Sequence, residues 1–240
     1  MNSVASARKR SVVLLSSGLD STVNLYEARA TTDVVLALTF DYGQRAAPRE
    51  TERAARIAKR AGVPHKVVSL PWFKDFTHTS LVDREHQVPV SKAVSIDDMG
   101  VSHQTAKAVW VPNRNGIMLN VAAGFAEGLG ADWIVPGFNV EEAATFPDNT
   151  DAFLKALTHS FSYSTANKLE AVCFTTSLNK TEIVKRGRVL EAPFDLMWPC
   201  YFPGEPAAGM GGDFKTCGQC ESCQRFARAN SAAGPIGSPV

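Results

Sequence analysis

The sequence predicts an α/β protein in which a parallel sheet carries helices on both faces. Two observations carry that reading. Short, almost wholly apolar runs alternate with stretches whose apolar residues recur at helical spacing, and a turn of small residues, 16–21 (SSGLDS), follows the first apolar run directly. Residues 12–15 and 34–40 are apolar nearly throughout, as strands covered on both faces are. Residues 65–70, 133–137 and 171–175 complete the strand candidates. Helical spacing marks residues 21–30, 49–61, 115–129, 151–161 and 180–187, with Gly62, Gly130 and Gly187 where helices would stop. The sum is a Rossmann-like sheet, in which a ligand lies beyond the carboxyl ends of the strands. The turns at 16–20, 39–44 and 137–148 should therefore share one crevice. The stretch 71–110 lacks a period and mixes polar residues with Trp72, Phe73 and Phe76, so it reads as an insertion that forms either a lid over the site or a contact between copies.

At 240 residues and 45% hydrophobic content, the chain suits one main domain. We expect a flexible N-terminus at 1–10, the main domain at 11–190, a small metal-binding segment at 191–230 and a flexible tail at 231–240. A formal net charge of +1 argues against a broad electrostatic grip on nucleic acid and favours a small-molecule substrate. The basic start of the chain lacks the apolar core of a secretion signal and no run is long enough to span a bilayer, so a cytoplasmic location without membrane contact is expected.

The 16–21 turn is built to seat phosphate. Ser16, Ser17, Gly18 and Ser21 offer backbone N–H groups and hydroxyls with little side-chain bulk, and the helix that follows aims its positive dipole end at the same spot. The Gly-Lys-Ser/Thr ending of the Walker loop is missing, and Asp20 stands where an anion seat would not ordinarily place negative charge. Asp20 either holds a magnesium ion that neutralises a pyrophosphate or caps the helix.

Cys217, Cys220 and Cys223 form C-x2-C-x2-C, and Cys200 lies upstream, so four thiolates can meet around one tetrahedral ion. Zinc is favoured over disulfides, which a reducing compartment disfavours, and over iron–sulfur clusters, which use other spacings more often. With four protein thiolates the ion would have no open position, so its role is to staple the segment. Cys173, in an apolar run, reads as a core residue.

With FDYGQR at 40–45, VPNRN at 111–115, GFNVEEAATFPD at 137–148 and NKTEIV at 179–184 added to the turn and the cysteines, the chain resembles the 7-cyano-7-deazaguanine synthase family of the PP-loop ATP pyrophosphatase class. The resemblance runs from residue 12 to about 228. It implies an adenine nucleotide alpha-hydrolase-like fold and an ATP-dependent carbon–nitrogen ligase that converts 7-carboxy-7-deazaguanine and ammonia to the nitrile precursor of queuosine. It also implies magnesium, bound zinc and a homodimer.

Carried over residue by residue, Ser16, Gly18, Asp20 and Ser21 match the nucleotide loop, with Ser16 and Asp20 in catalytic roles and Asp20 bringing in magnesium; Leu15, Ser17, Leu19 and Thr22 complete the expected cofactor-binding stretch, Thr22 also helping to cap the helix. Asp41, Tyr42, Gly43 and Gln44 line the nucleotide pocket in this reading, or form a plain turn. Arg114 would bind a carboxylate or phosphate in a catalytic role, and Asn113 and Asn115 would read the base or cap a helix. Gly137, Asn139, Glu141, Glu142, Thr145, Phe146, Pro147 and Asp148 match the deazaguanine-binding segment, with Phe138 or Phe146 stacking on the ring, and Lys180 is a further phosphate or substrate contact.

Two departures keep other readings open. Ser17 stands where the family's loop has a second glycine, and residues 143–149 (AATFPDN) differ from the usual substrate segment. The first alternative is an adenylating paralogue that couples a deazaguanine carboxylate to another amine. The second is a non-catalytic nucleotide-binding module stapled by zinc.

Overall fold

The computed structural model describes residues 8–96, 99–206 and 214–235, so most of the expected N-terminal segment and the end of the expected tail, residues 1–7 and 236–240, lie outside the described residues. Five parallel strands form the sheet: β1 (Arg10–Leu14), β2 (Asp33–Asp41), β3 (His65–Ser69), β4 (Trp133–Val135) and β5 (Glu170–Ala171), in the order β3-β2-β1-β4-β5. Between them run α1 (Leu19–Thr31), α2 (Ala47–Ala61), α3 (Met99–Val109), α4 (Arg114–Gly128), α5 (Val140–Ala143), α6 (Asp151–Ser164), α7 (Lys180–Val189) and α8 (Glu221–Ala232). A two-residue hairpin pairs β6 (Glu205–Pro206) with β7 (Phe214–Lys215). No helix among the described residues is long and apolar enough to cross a membrane.

Strand alternation divides the core between the two faces. Val12, Leu38 and Ile134 pack with Leu119, Ala122 and Phe161 on one side, and Val13, Ala37 and Val135 pack with Val23, Ile57 and Ile183 on the other. Both faces are covered by helices, which is why the strands read as continuous apolar runs. The order changes direction at β1, flanked by β2 and β4, and a doubly wound sheet opens its crevice at that point, beyond the strands' carboxyl ends.

Four expectations need correction. Arg10 opens β1 instead of lying in a free N-terminus, and α8 runs on to Ala232, with Ala233 and Gly234 carbonyls accepting from Arg188, so the expected tail is ordered to residue 235. The strand expected over 171–175 keeps only its start: after Val172 donates to the Ile134 carbonyl, the Phe174 N–H goes to Asn24 Oδ1 and the Thr175 hydroxyl to the Phe138 carbonyl. A side-chain acceptor on α1 thus takes the Phe174 N–H away from the sheet, and the Thr175 side chain anchors to the backbone of the β4 loop. The segment expected at 191–230 shares the main domain's packing, since Ala229 belongs to the second core and Phe226 packs against it.

The 71–110 insertion covers the crevice. Arg45 pins it: Nε donates to the Ser80 carbonyl at 2.6 Å, and Nη2 to the Asp83 and His86 carbonyls at 2.8 and 2.6 Å. Val90 bridges Cys220, and Ser91 bonds to Gln219, so the insertion is also tied to the cysteine segment.

Candidate nucleotide and base site

The turn after β1 is the first wall of the site. Gly18 is the N-cap of α1 in extended conformation, and the Ser21 hydroxyl accepts from Ser16 N–H at 3.2 Å while donating to the Gly18 carbonyl, which bends the turn tightly over the helix start. Ser17 is left-handed at φ 61°, a region where a Cβ costs about 1–2 kcal/mol. Its carbonyl accepts from Trp198 N–H at 2.9 Å, so the segment leading to Cys200 holds the bend in place. Gly137 lets β4 close on the same turn, because a Cβ there would lie 2.5 Å from Ser21 N. Among the described residues, the Ser17 and Thr22 hydroxyls and Asp20 Oδ1 are buried without a hydrogen-bond partner. Buried polar atoms are normally satisfied, and of these three residues Asp20 also lines the adjoining cavity, where a polar ligand would give it a partner.

A cavity of about 290 Å³ opens over this turn. Its wall includes Leu15, Ser16, Gly18, Leu19, Asp20 and Ser21 from the turn, Tyr42 and Gln44 from the β2 loop, and Arg114 and Asn115 from the start of α4. Gly137, Phe138, Glu141, Glu142, Thr145, Phe146 and Asp148 enter from the β4 loop, and Lys180 from α7. Loops distant in sequence therefore converge, as the sheet topology requires.

Lys180 is the central cation. Its ammonium lies 2.9 Å from Asp20 Oδ2 and 2.8 Å from Glu142 Oε1, with its side chain 9% exposed. Burial opposes its charge, but the two carboxylates outweigh burial and raise its pKa. One cation serves two acids unequally: burial leaves Asp20 above the usual carboxylate range, whereas for Glu142 burial is overcome by Lys180 and the carboxyl is held low. Glu141 accepts from Lys180 N–H and pairs with Arg225 and Arg228. At the opposite wall Arg114 Nη1 donates to the Tyr42 hydroxyl at 3.2 Å. Burial raises the Tyr42 and Asp148 pKa values, Arg114 countering in both cases.

Several expected residues stand off the cavity. Asp41 Oδ1 accepts from Gly43 N–H, so this pair makes the plain turn, with Gly43 at φ 87°. Asn139 is fully buried and caps α5 through Glu142 N–H, and Ser17 and Thr22 lie beneath the turn. Asn113 is the left-handed N-cap of α4 without a side-chain cap bond, its amide folded back so that a Cβ at Gly116 would meet Asn113 Oδ1 at 2.1 Å. Both rings expected to stack on the base do reach the wall, but Phe138 is 5% exposed and belongs to the core, and Phe146 stacks on Trp110 with centroids 5.7 Å apart and planes 10° apart. The wall residues that sequence reasoning missed include Glu50, Trp110, Trp198, Tyr201, Glu221 and Arg225.

The four expected cysteines converge, all four sulfurs lying within 4.8 Å of one another, and all five cysteines are free thiols. Zn–S bonds of about 2.3 Å in a tetrahedron set sulfurs about 3.8 Å apart, and Cys217 and Cys223 Sγ are 3.9 Å apart. Backbone N–H groups of Phe202 and Cys217 point at Cys200 Sγ, and those of Gln219 and Cys220 at Cys217 Sγ, which favours thiolates. The donor set and its spacing fit zinc. Cys173 is not part of the group; it bonds to Phe138 and Asn24 between strand and helix.

A parallel sheet with its crevice at the reversal of strand order, a small-residue turn at a helix start and a partly enclosed cavity define a nucleotide-binding α/β protein. The family model described as queuosine biosynthesis protein QueC matches residues 10–234, and the chain belongs to that family. It is similar to a 7-cyano-7-deazaguanine synthase of Bdellovibrio bacteriovorus, 56% identical over 94% of each chain. Another of Pelotomaculum thermopropionicum is 48% identical over 94% of this chain and 98% of its own. Among solved structures, it is similar to the NH3-dependent NAD synthetase of Campylobacter jejuni in complex with the nitrate ion, with 17% identity and a TM-score of 0.45 over 80% of this chain and 68% of that one.

Proposed function

We infer that this protein is an ATP-dependent ligase that converts 7-carboxy-7-deazaguanine and ammonia to 7-cyano-7-deazaguanine in queuosine precursor biosynthesis, working as a homodimer in the cytoplasm. The observation that carries the reading is the turn at 16–21, where Asp20 Oδ1 is buried without a partner and the helix start faces a cavity of about 290 Å³. A carboxylate is a poor electrophile for ammonia, because it repels nucleophiles and has no leaving group. Attack of its oxygen on the α-phosphorus of ATP expels pyrophosphate and makes AMP the leaving group. Ammonia then displaces AMP to give the amide. A second adenylation, on the amide oxygen, allows loss of AMP and a proton to leave the nitrile, so two ATP are consumed.

The chain's residues divide this work. Backbone N–H groups at the start of α1, with Ser16 and Ser21, take the phosphate oxygens of the departing pyrophosphate. Lys180 adds positive charge there, and Arg114 takes a carboxylate or phosphate across the cavity. Asp20, with Oδ1 unpartnered and Glu142 across Lys180, would hold magnesium, which neutralises pyrophosphate charge. Cys200, Cys217, Cys220 and Cys223 would hold zinc, fixing the segment that supplies Tyr201 and Arg225 to the wall. Nothing in the site favours transfer to another amine or a non-catalytic module.

The test is product identification. Protein incubated with labelled ATP, magnesium, ammonia and the carboxylated base should yield AMP, pyrophosphate and the nitrile by mass. ADP as the nucleotide product, or no nitrile, would overturn the reading.

A further inference from the structure

Among the described residues six carboxyl groups line the cavity, and four of them are ion-paired. Asp20 and Glu142 share Lys180; Glu141 is held by Arg225 and Arg228, and Glu221 by Arg225. Asp148 Oδ1 takes the Asn149 amide on the loop after α5. Glu50, on the first turn of α2, likewise has no ion pair, but it sits on a regular helix instead of a loop. Among the described residues its one hydrogen bond comes from a neutral donor, Gln44 Nε2, at 2.7 Å from Oε2. Gln44 is itself fixed, Nε2 also donating to the Phe40 carbonyl and Oε1 accepting from Tyr42 N–H, so Glu50 Oε2 has a set position on a rigid helix. The second oxygen is left for a ligand.

Resting on the reaction proposed above, we propose that Glu50 is a specificity-determining residue that accepts the ring N–H and exocyclic amine of the deazaguanine base. That edge presents two adjacent donors, which a carboxylate accepts side by side. Adenine presents one donor beside a ring-nitrogen lone pair, and a carboxylate repels the second. The carboxyls expected from sequence to read the base, Glu141 and Glu142, are taken up by cations. Burial pushes the Glu50 carboxyl up to about 7, partly offset by the Gln44 bond and the Arg114 charge and reinforced by Asp41. Two incoming N–H donors relieve that burial, so the pocket favours a ligand that supplies them.

The test compares wild-type protein with Glu50→Gln, which offers one donor and one acceptor in the same shape. Melting curves establish folding, and calorimetric titration with the carboxylated base and, separately, with ATP and magnesium reads binding without turnover. The expected result is at least tenfold weaker base binding and a matching rise in KM for the base, with kcat and the KM for ATP little changed. The same base without its 2-amino group should lose affinity for wild type and much less for the variant. Unchanged base binding, or a loss confined to ATP, would overturn the assignment. If Glu50→Gln does not fold, Glu50→Asp, which keeps the charge and shortens its reach, is read by the same criteria. Failure of wild-type protein to form nitrile would count against the reaction; intact nitrile formation with unchanged variant affinity would count against Glu50 alone.

Discussion

Glu50 also makes a stability prediction whose size follows from its surroundings. Burial holds its carboxyl at about 7 in the folded chain, against 4.5 for the unperturbed group. The folded state therefore keeps a proton that the unfolded state releases, so this group's favourable contribution is complete below pH 4.5 and is lost as pH rises through 7. At about 1.36 kcal/mol per pKa unit the loss is at most about 3 kcal/mol, and the partial exposure of the side chain reduces it to about 2 kcal/mol. Glu50→Gln removes the titration while keeping an acceptor for Gln44. Urea unfolding of both proteins from pH 5 to pH 8 isolates the term, because every other group cancels in the difference. The variant should gain about 2 kcal/mol on wild type between those limits. A difference that stays flat across the range would refute the account of Glu50 as a buried acid without an ion pair.

Other perturbations probe the turn and the staple. Ser17→Gly should raise stability by about 1 kcal/mol in thermal melts, because glycine adopts φ 61° freely and an unpartnered buried hydroxyl is removed. Gly137→Ala should cost about 2–3 kcal/mol and weaken ATP binding by calorimetry, since the new Cβ lies 2.5 Å from Ser21 N, where only backbone can give way. Cys220→Ser should abolish stoichiometric zinc in metal analysis and lower the melting temperature, because Cys220 is fully buried among the other sulfurs.

Much of this was legible in the sequence because it rests on local patterns. The 12–15 run, the SSGLDS turn and the C-x2-C-x2-C spacing each specify geometry within a few residues, and the structure places them as expected. What escaped is set by tertiary contact. Glu50 lies in a helix dense with charged residues, and only its packing against Gln44 singles it out. Likewise Trp198 reads as an ordinary aromatic until its N–H is seen to hold Ser17. Residues 173–175 carry a strand's composition, yet the Phe174 N–H goes to Asn24 Oδ1 on a helix and not to a neighbouring strand. Asp41 and Asn139 matched the motifs, but each spends its side chain on its own backbone turn.

The central claim is that the turn at 16–21 grips the phosphates that leave as pyrophosphate. A crystal structure with α,β-methylene ATP and manganese tests it directly, since the methylene bridge blocks cleavage and manganese gives an anomalous signal in magnesium's place. The outer two phosphates should lie against the backbone of residues 16–21, with the manganese peak on Asp20. A triphosphate bound elsewhere, with no phosphate at the turn, would contradict the account.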